Sequence, residues 1–402
     1  MTDTQMMDKG QFEPSRREID RRYRNTRAAM ADADLDALIV SGSEYTGFEG
    51  AVRYMCGFHI LHRYAYVLVP MEGEPVAVFP KEATWVGDHT KTFIERKEKT
   101  LNCGEWMAGE CKSKGFKRVG VYGLNFIMPV RDYRALVDRG LNIIDFDEAF
   151  DHSRAAKSEE ELLSVRHSME INKAGVLAVV RAYQAGKTEA ELMAVAEQTF
   201  TSMGTARNTM DMVLVGPNGS LLPQMVFPDA NRRVHDSDGL LYGLEVAGQG
   251  GHWTEFSRLL APQGIAGETR RLMDAYEEFH ALVLRNLKAG ATSGDVHRKC
   301  IKPFEGKGWR LGHVSGHSIG MTMIEFPRIG EGSEFELPEN MICSLHPHVM
   351  TENRDACLYF QETFRVGRNG GESLSAVPVT YYRGGEASLQ APSGTQQSGE
   401  SR

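Results

Sequence analysis

Nothing in the 402-residue sequence resembles a secretory signal or a membrane span. The opening stretch, MTDTQMMDKGQFEPSRREIDRRYR, is polar and lacks the apolar core of a signal peptide. No run approaches the ~18 apolar residues that a spanning helix needs. The six cysteines (Cys56, Cys103, Cys111, Cys300, Cys343 and Cys357) form no Cys-x-x-Cys pair and no regular spacing. In a chain this long they read as reduced thiols of a cytoplasmic protein. Glycine-rich phosphate loops are absent where a strand-to-helix turn would need them. No basic stretch is interleaved with aromatic residues, and the net charge is −8. Nucleic acid and membrane surfaces are therefore not expected partners.

What is present suits a globular enzyme. Hydrophobic residues at 41% and charged residues at 25% match an ordinary soluble chain, and the length fits two domains. An arginine-rich helix, REIDRRYRNTRAAMADA, is followed by strand-like runs at 37–42, 64–70, 75–80 and 119–123, alternating with helical segments. That pattern predicts a small α/β domain over residues 15–153, after a disordered stretch at 1–14. From 154 to 384 a second domain is expected, with a disordered tail at 385–402. It opens with a long charged helix stopped by Gly186, then a second helix marked by a capping box of Thr188 and Glu191. Strands follow to residue 262, then helices over 267–288 and 294–306, then strands to 382. Two helix–helix–strand halves suggest an internal duplication without a visible sequence repeat.

Chemistry-bearing residues gather in the second domain. LYGLEVAGQGGHWTEFSRLL (241–260) reads as a hairpin. With its turn near Gly250, Glu245 and Glu255 stand directly opposite each other. Like charges at opposed positions destabilise a sheet unless a metal, a shared proton or solvent neutralises them. GHVSGHSIGM (312–321) sets His313 and His317 four apart among small residues, where backbone and ligand can approach closely. SLHPHVM (344–350) puts His346 and His348 either side of a proline, and period two gives them one face. In LYFQETFRV (358–366), Glu362 lies in an apolar run where a carboxylate is costly unless paired or ligating. His252, in the turn strand, reads as surface or as a group behind the site.

In this order the residues resemble the pita-bread family of creatinase, aminopeptidase P and methionine aminopeptidase. KSEEELLSVRHSMEINKAG resembles that family's entry helix, VGPNGSLLP its loop before the first ligand strand, and Glu255-Phe-Ser-Arg258 its Asp-x-Thr-Arg. GHSIG, with His317, matches its ligand histidine. The likeness covers roughly residues 155–382, and the first domain is similar to the creatinase-type N-terminal domain. It implies an α/β (α+β) protein with that N-terminal domain followed by a pita-bread catalytic domain. It also implies a metal site at Glu245, Glu255, His317, His346 and Glu362, where the peptidases have Asp, Asp, His, Glu, Glu. Such a set suits one divalent ion, Mn²⁺, Fe²⁺ or Zn²⁺. A homodimer is implied too, with His59, His62, Arg63 and Tyr64 binding substrate across the interface.

Two departures shape the functional expectation. The accessory histidine seven residues after the ligand histidine is Ile324 here, and the loop histidine is replaced around Gln224. General acid–base groups typically contribute ~10²–10⁴ in rate. Losing both histidines therefore points away from a peptidase and toward a metal-assisted lyase acting on a C–heteroatom or C–C bond of a small molecule. His348, His313, Glu325 and Gln224 are its candidate catalytic groups. The alternatives are a creatinase-like or ectoine-hydrolase-like C–N hydrolase and a catalytically inactive binding module.

Overall fold

The structure is a computed structural model that describes residues 12–85, 89, 91–217, 221–222, 224–312 and 315–385. The disorder expected at 1–14 and 385–402 concerns residues that, apart from 12–14 and 385, lie outside this range. Among the described residues no helix is long and apolar enough to cross a membrane.

The first helix, α1 (Arg16–Asp32), starts where Ser15 accepts a hydrogen bond from the Glu18 amide. Beside it lies a mixed six-stranded sheet of β1 (Ala37–Ser43), β2 (Tyr64–Pro70), β3 (Val76–Pro80), β4 (Lys97–Thr100), β5 (Arg118–Tyr122) and β6 (Asn142–Asp145). The spatial order is β4-β3-β2-β1-β5-β6. β1 is buried along its whole length, which explains its unbroken apolar run: both faces are covered, so no alternation is needed. Helix α2 (Gly50–Cys56) packs on β1 and β2.

The seam between the two parts is charged. Arg154 pairs with Asp151 at 2.6 Å and with Glu325 at 3.1 Å, and Lys157 reaches Glu325 at 3.0 Å. Helix α3 (Glu159–Ala182) begins just beyond, closed by a Ser158–Glu161 capping box, and α4 (Glu189–Ser202) carries the expected Thr188–Glu191 box. Asn172 of α3 donates to the carbonyls of Leu244 and Thr254, fastening the helix to both strands of the hairpin.

The large sheet has ten strands, running from β7 (Arg207–Gly216) and β8 (Gly239–Ala247) to β19 (Tyr381–Tyr382). Its centre is β14 (Ile342–Leu345), β17 (Glu362–Val366), β9 (Trp253–Phe256) and β8, in that spatial order, with β12 (Gly316–Ser318) beside β14. A small sheet of β11 (Arg310–Leu311), β15 (Val349–Met350) and β16 (Cys357–Leu358) stands beside it. Residues 267–286 form a helix as expected. The segment expected as one helix over 294–306 is instead three short pieces, α-helical, π and 3₁₀. Pro303, at the start of the last piece, cannot supply the amide that a continuing α-helix requires.

Candidate metal centre

The β8–β9 hairpin has the register read from its turn: Glu245 lies directly opposite Glu255. Both are buried, at 5% and 1% exposure, so solvent does not separate the two carboxylates. Neighbouring strands supply what does. β12 presents His317, whose Nε2 is 3.4 Å from Glu255 Oε1. The chain leaving β14 presents His346, with Nε2 3.7 Å from Glu255 Oε2. Ser344 donates to the same oxygen at 2.6 Å. One ligand atom from each of Glu255, His317 and His346 fits within a 4.8 Å group.

The imidazole of His317 is oriented from behind, because its Nδ1 lies 2.9 Å from the Ser318 carbonyl and turns Nε2 inward. Such a backbone contact selects the tautomer in metal-binding histidines. Gln361 closes the floor, its Nε2 donating to Glu245 Oε1 at 3.2 Å and Glu255 Oε2 at 3.3 Å.

The two glutamates are driven apart electrostatically. Burial raises the Glu245 carboxyl well above the ordinary range, and the charge of Glu255 adds to this. Burial also opposes ionisation of Glu255, but the charges of His346 and His317 and the hydrogen bonds of His317 and Ser344 prevail, holding it at about 2. Glu245 Oε2 and Gln361 Oε1 have no hydrogen-bond partner among the described residues. A buried polar atom left so is costly. Glu255, His317 and His346, whose ligand atoms lie within 4.8 Å of one another, make a donor set that fits a divalent cation.

Glu362 does not join the centre. It lies opposite Phe256 and Leu345, and cross-strand partners share a face, so it points away from Glu255. Its carboxylate is held by Arg258 at 2.6 Å and Ser373 at 2.9 Å. Its neighbour Gln361 faces the two glutamates of the hairpin instead. Pairing β17 against β9 in register would have found it; an uncharged amide drew no attention in the sequence. Glu325 is likewise corrected as a catalytic base, since Arg154 and Lys157 take up its carboxylate.

His348 and His346 both pack against Tyr359, with ring centroids 5.5 and 5.6 Å from it. Tyr276, which sequence reading passed over, donates to the Pro347 carbonyl and so holds the His-Pro-His segment. His252 lies behind the site, bonded to Ser164 at 2.8 Å. Gln224 is exposed, and His313 lies outside the described residues. His59, His62 and Tyr64 contact Arg207, Glu44 and Arg131, while Arg63 is exposed with φ +67. Within one chain, then, these contacts tie His59, His62 and Tyr64 to groups other than Glu255, His317 and His346.

The chain matches the model of metallopeptidase family M24 over residues 164–369 and that of the creatinase/prolidase N-terminal domain over residues 22–156. It is 21% identical over 313 residues to a Xaa-Pro dipeptidase of Pyrococcus horikoshii, covering 76% of this chain and 87% of the relative. It is 23% identical over 407 residues to the agropine synthesis cyclase of Rhizobium rhizogenes, covering 90% and 96%. The solved prolidase of Pyrococcus horikoshii has the same fold, with a TM-score of 0.74 at 18% identity over 89% of this chain and 98% of that one. The divalent-metal expectation stands on the family and the donor set together. The lyase expectation is overturned: the matched model is that of a metallopeptidase family, and relatives of the chain are Xaa-Pro dipeptidases, which favours the hydrolase alternative. A pita-bread domain behind a creatinase-type N-terminal domain, with a metal-competent core, makes this chain a member of metallopeptidase family M24.

Proposed function

We propose that the protein is a divalent-metal hydrolase cleaving a C–N bond in a small substrate, a dipeptide or a dipeptide-like amide. The buried Glu255–His317–His346 donor set carries this reading. Those three side chains would hold the ion, with Glu245 as a fourth donor or as its proton-bearing neighbour. When bound, the metal supplies Lewis acidity and a nucleophilic water near neutral pH. Amide hydrolysis also needs a proton delivered to the leaving nitrogen. Glu245, facing Glu255 across the hairpin with its Oε2 free of a hydrogen-bond partner among the described residues, is the group on hand to carry it. Gln361 fixes the orientation of both carboxylates. A cavity of about 640 Å³ lined by Glu305, Trp309, Arg310, His348 and Arg354 adjoins the His346 segment. Arg310 is paired with Glu352 at 2.8 Å, which leaves Arg354 as the cation there for a substrate carboxylate.

A non-peptide C–N bond is the second reading. Ile324, 43% exposed, in place of an accessory histidine favours it, as does the near full-length likeness to a cyclase. A cytoplasmic homodimer, with domains meeting near residue 153 and His59, His62, Arg63 and Tyr64 reaching a partner's site, completes the proposal. A sedimenting mass of two 44.8 kDa chains would support the dimer and a single chain would remove it.

The decisive assay incubates Mn²⁺- or Zn²⁺-loaded protein with Xaa-Pro dipeptides, creatine and ectoine, following release of the amine-bearing product by mass spectrometry. Metal analysis runs in parallel on wild type, His317→Ala and His346→Ala. About one ion per chain and turnover, both lost in the variants, are expected. Full metal occupancy without C–N cleavage of any substrate would sink the hydrolase reading. Undiminished metal in both variants would sink the ligand assignment.

A further inference from the structure

A second cavity, of about 620 Å³, lies on the N-terminal side of the hairpin turn. Its lining includes four basic residues, Arg22, Arg53, His59 and Lys91, and a single acid, Glu13. Arg22 is neutralised by Glu18 at 2.8 Å. Arg53 donates to a carbonyl, that of Gln249, and its guanidinium is pressed against Gly251, where a Cβ would come within 2.6 Å of it. Behind His59 stands Arg207, donating to His59 Nε2 at 3.5 Å and to the Ile60 carbonyl at 2.6 Å. As an acceptor in that contact, His59 is neutral. Among the described residues no carboxylate is in ion-pair contact with Arg53, Arg207 or Lys91. A buried acid, Glu49, accepts from the Gly47 amide and offsets part of the charge of Arg53 and Arg207, although burial raises its pKa. Cations gathered in this way repel one another, and burial and their mutual charge lower both Arg53 and His59. The rest of the wall is apolar, with Phe58, Phe93 and Met321.

We propose that this cavity binds a small organic anion, a carboxylate or phosphate on a flat apolar body, with Arg53 and Lys91 taking the charge and the phenylalanines the body. An anion would complete the counter-charge to Arg53, Arg207 and Lys91, which Glu49 offsets only in part, and the cavity lies within the ~300–1,000 Å³ of ordinary small-molecule sites. Within one chain the lining shares no residue with the metal centre, and the argument for the anion uses neither the metal nor the hydrolytic reading.

Calorimetric titration of the metal-loaded protein with phenyl phosphate, benzoate and inorganic phosphate tests it. Saturable binding of an aromatic anion is expected, at least about tenfold tighter than inorganic phosphate and weakened about tenfold by Lys91→Gln and by Arg53→Gln. Preference for phenyl phosphate or for benzoate identifies the headgroup. If Arg53→Gln does not fold, the exposed Lys91→Gln gives the same reading alone. The proposal falls if no probe saturates, if inorganic phosphate binds as well as the aromatic probes, or if the variants bind unchanged. It also falls if His317→Ala abolishes binding, which would put the anion on the metal centre.

Discussion

Two of the buried charge clusters in this chain, at the domain seam and at the hairpin, differ in how completely they satisfy themselves. At the domain seam, Asp151, Arg154, Lys157 and Glu325 set two acids against two bases, and the buried atom there without a hydrogen bond, Arg154 Nη1, is still ion-paired with Glu325 at 3.1 Å. Arg154 also donates to the hydroxyls of Tyr122 and Thr322, and the Asp151 carboxylate accepts from the Phe326 amide. At the hairpin, Glu245 and Glu255 face each other across a ladder with two imidazoles and an amide nearby, and polar atoms are left over. A buried ion cluster that serves only to join parts can satisfy itself from within. One that must accept a ligand keeps a vacancy in its hydrogen bonding, and the fold bears that cost. The seam therefore reads as structural and the hairpin as functional, although both are equally buried.

Removing a seam partner should have the largest effect. Glu325→Ala leaves Arg154 and Lys157 short of a counter-charge, and breaking a buried pair in this way typically costs about 3–5 kcal/mol. Urea unfolding would measure it. A loss near zero would mean that the seam is hydrated and that the contrast between the clusters is false.

A sharper contrast lies between adjacent residues. Gln361→Ala should weaken Mn²⁺ or Zn²⁺ binding about 10–100-fold, the usual effect of removing a group that orients ligands, with little change in stability. Glu362→Gln should do the opposite, leaving metal affinity intact while lowering stability by depriving buried Arg258 of its charged partner. Metal titration and urea unfolding of both variants separate the roles. Weak metal binding in Glu362→Gln would restore it to the ligand set.

The smallest effect is in the acid limb of stability. Burial alone would raise the Glu325 pKa, but Arg154 and Lys157 reverse this and hold it below its ordinary 4.5. A depressed carboxylate contributes stability that is present above pH 4.5 and is lost as pH falls through the folded value. Stability should therefore drop below pH 4.5 in wild type and less steeply in Glu325→Gln, as measured by unfolding midpoints at successive pH values. Parallel slopes would remove Glu325 as a source of the acid loss.

Much of the architecture was legible because it is written locally. The Thr188–Glu191 box, the strand at 64–70 and the hairpin register each depend on residues a few positions apart. Glu255, His317 and His346, which the structure brings together, were among the residues that the family resemblance singled out. Gln361 was hidden, being neutral and next to a more conspicuous glutamate. Glu325 looked available because its partners are remote in sequence.

By itself, then, the sequence determined the α/β character of the first domain and the opposed glutamates, since local propensity and strand alternation govern these, while the kinds of domain and the metal-competent set were carried by the resemblance of its motifs to a family. Only the tertiary structure decided which acids are consumed. Glu362 meets Arg258 from 104 positions away and Glu325 meets Lys157 from 168. Such pairings depend on sheet order and on docking of the domain seam, and no local pattern carries them.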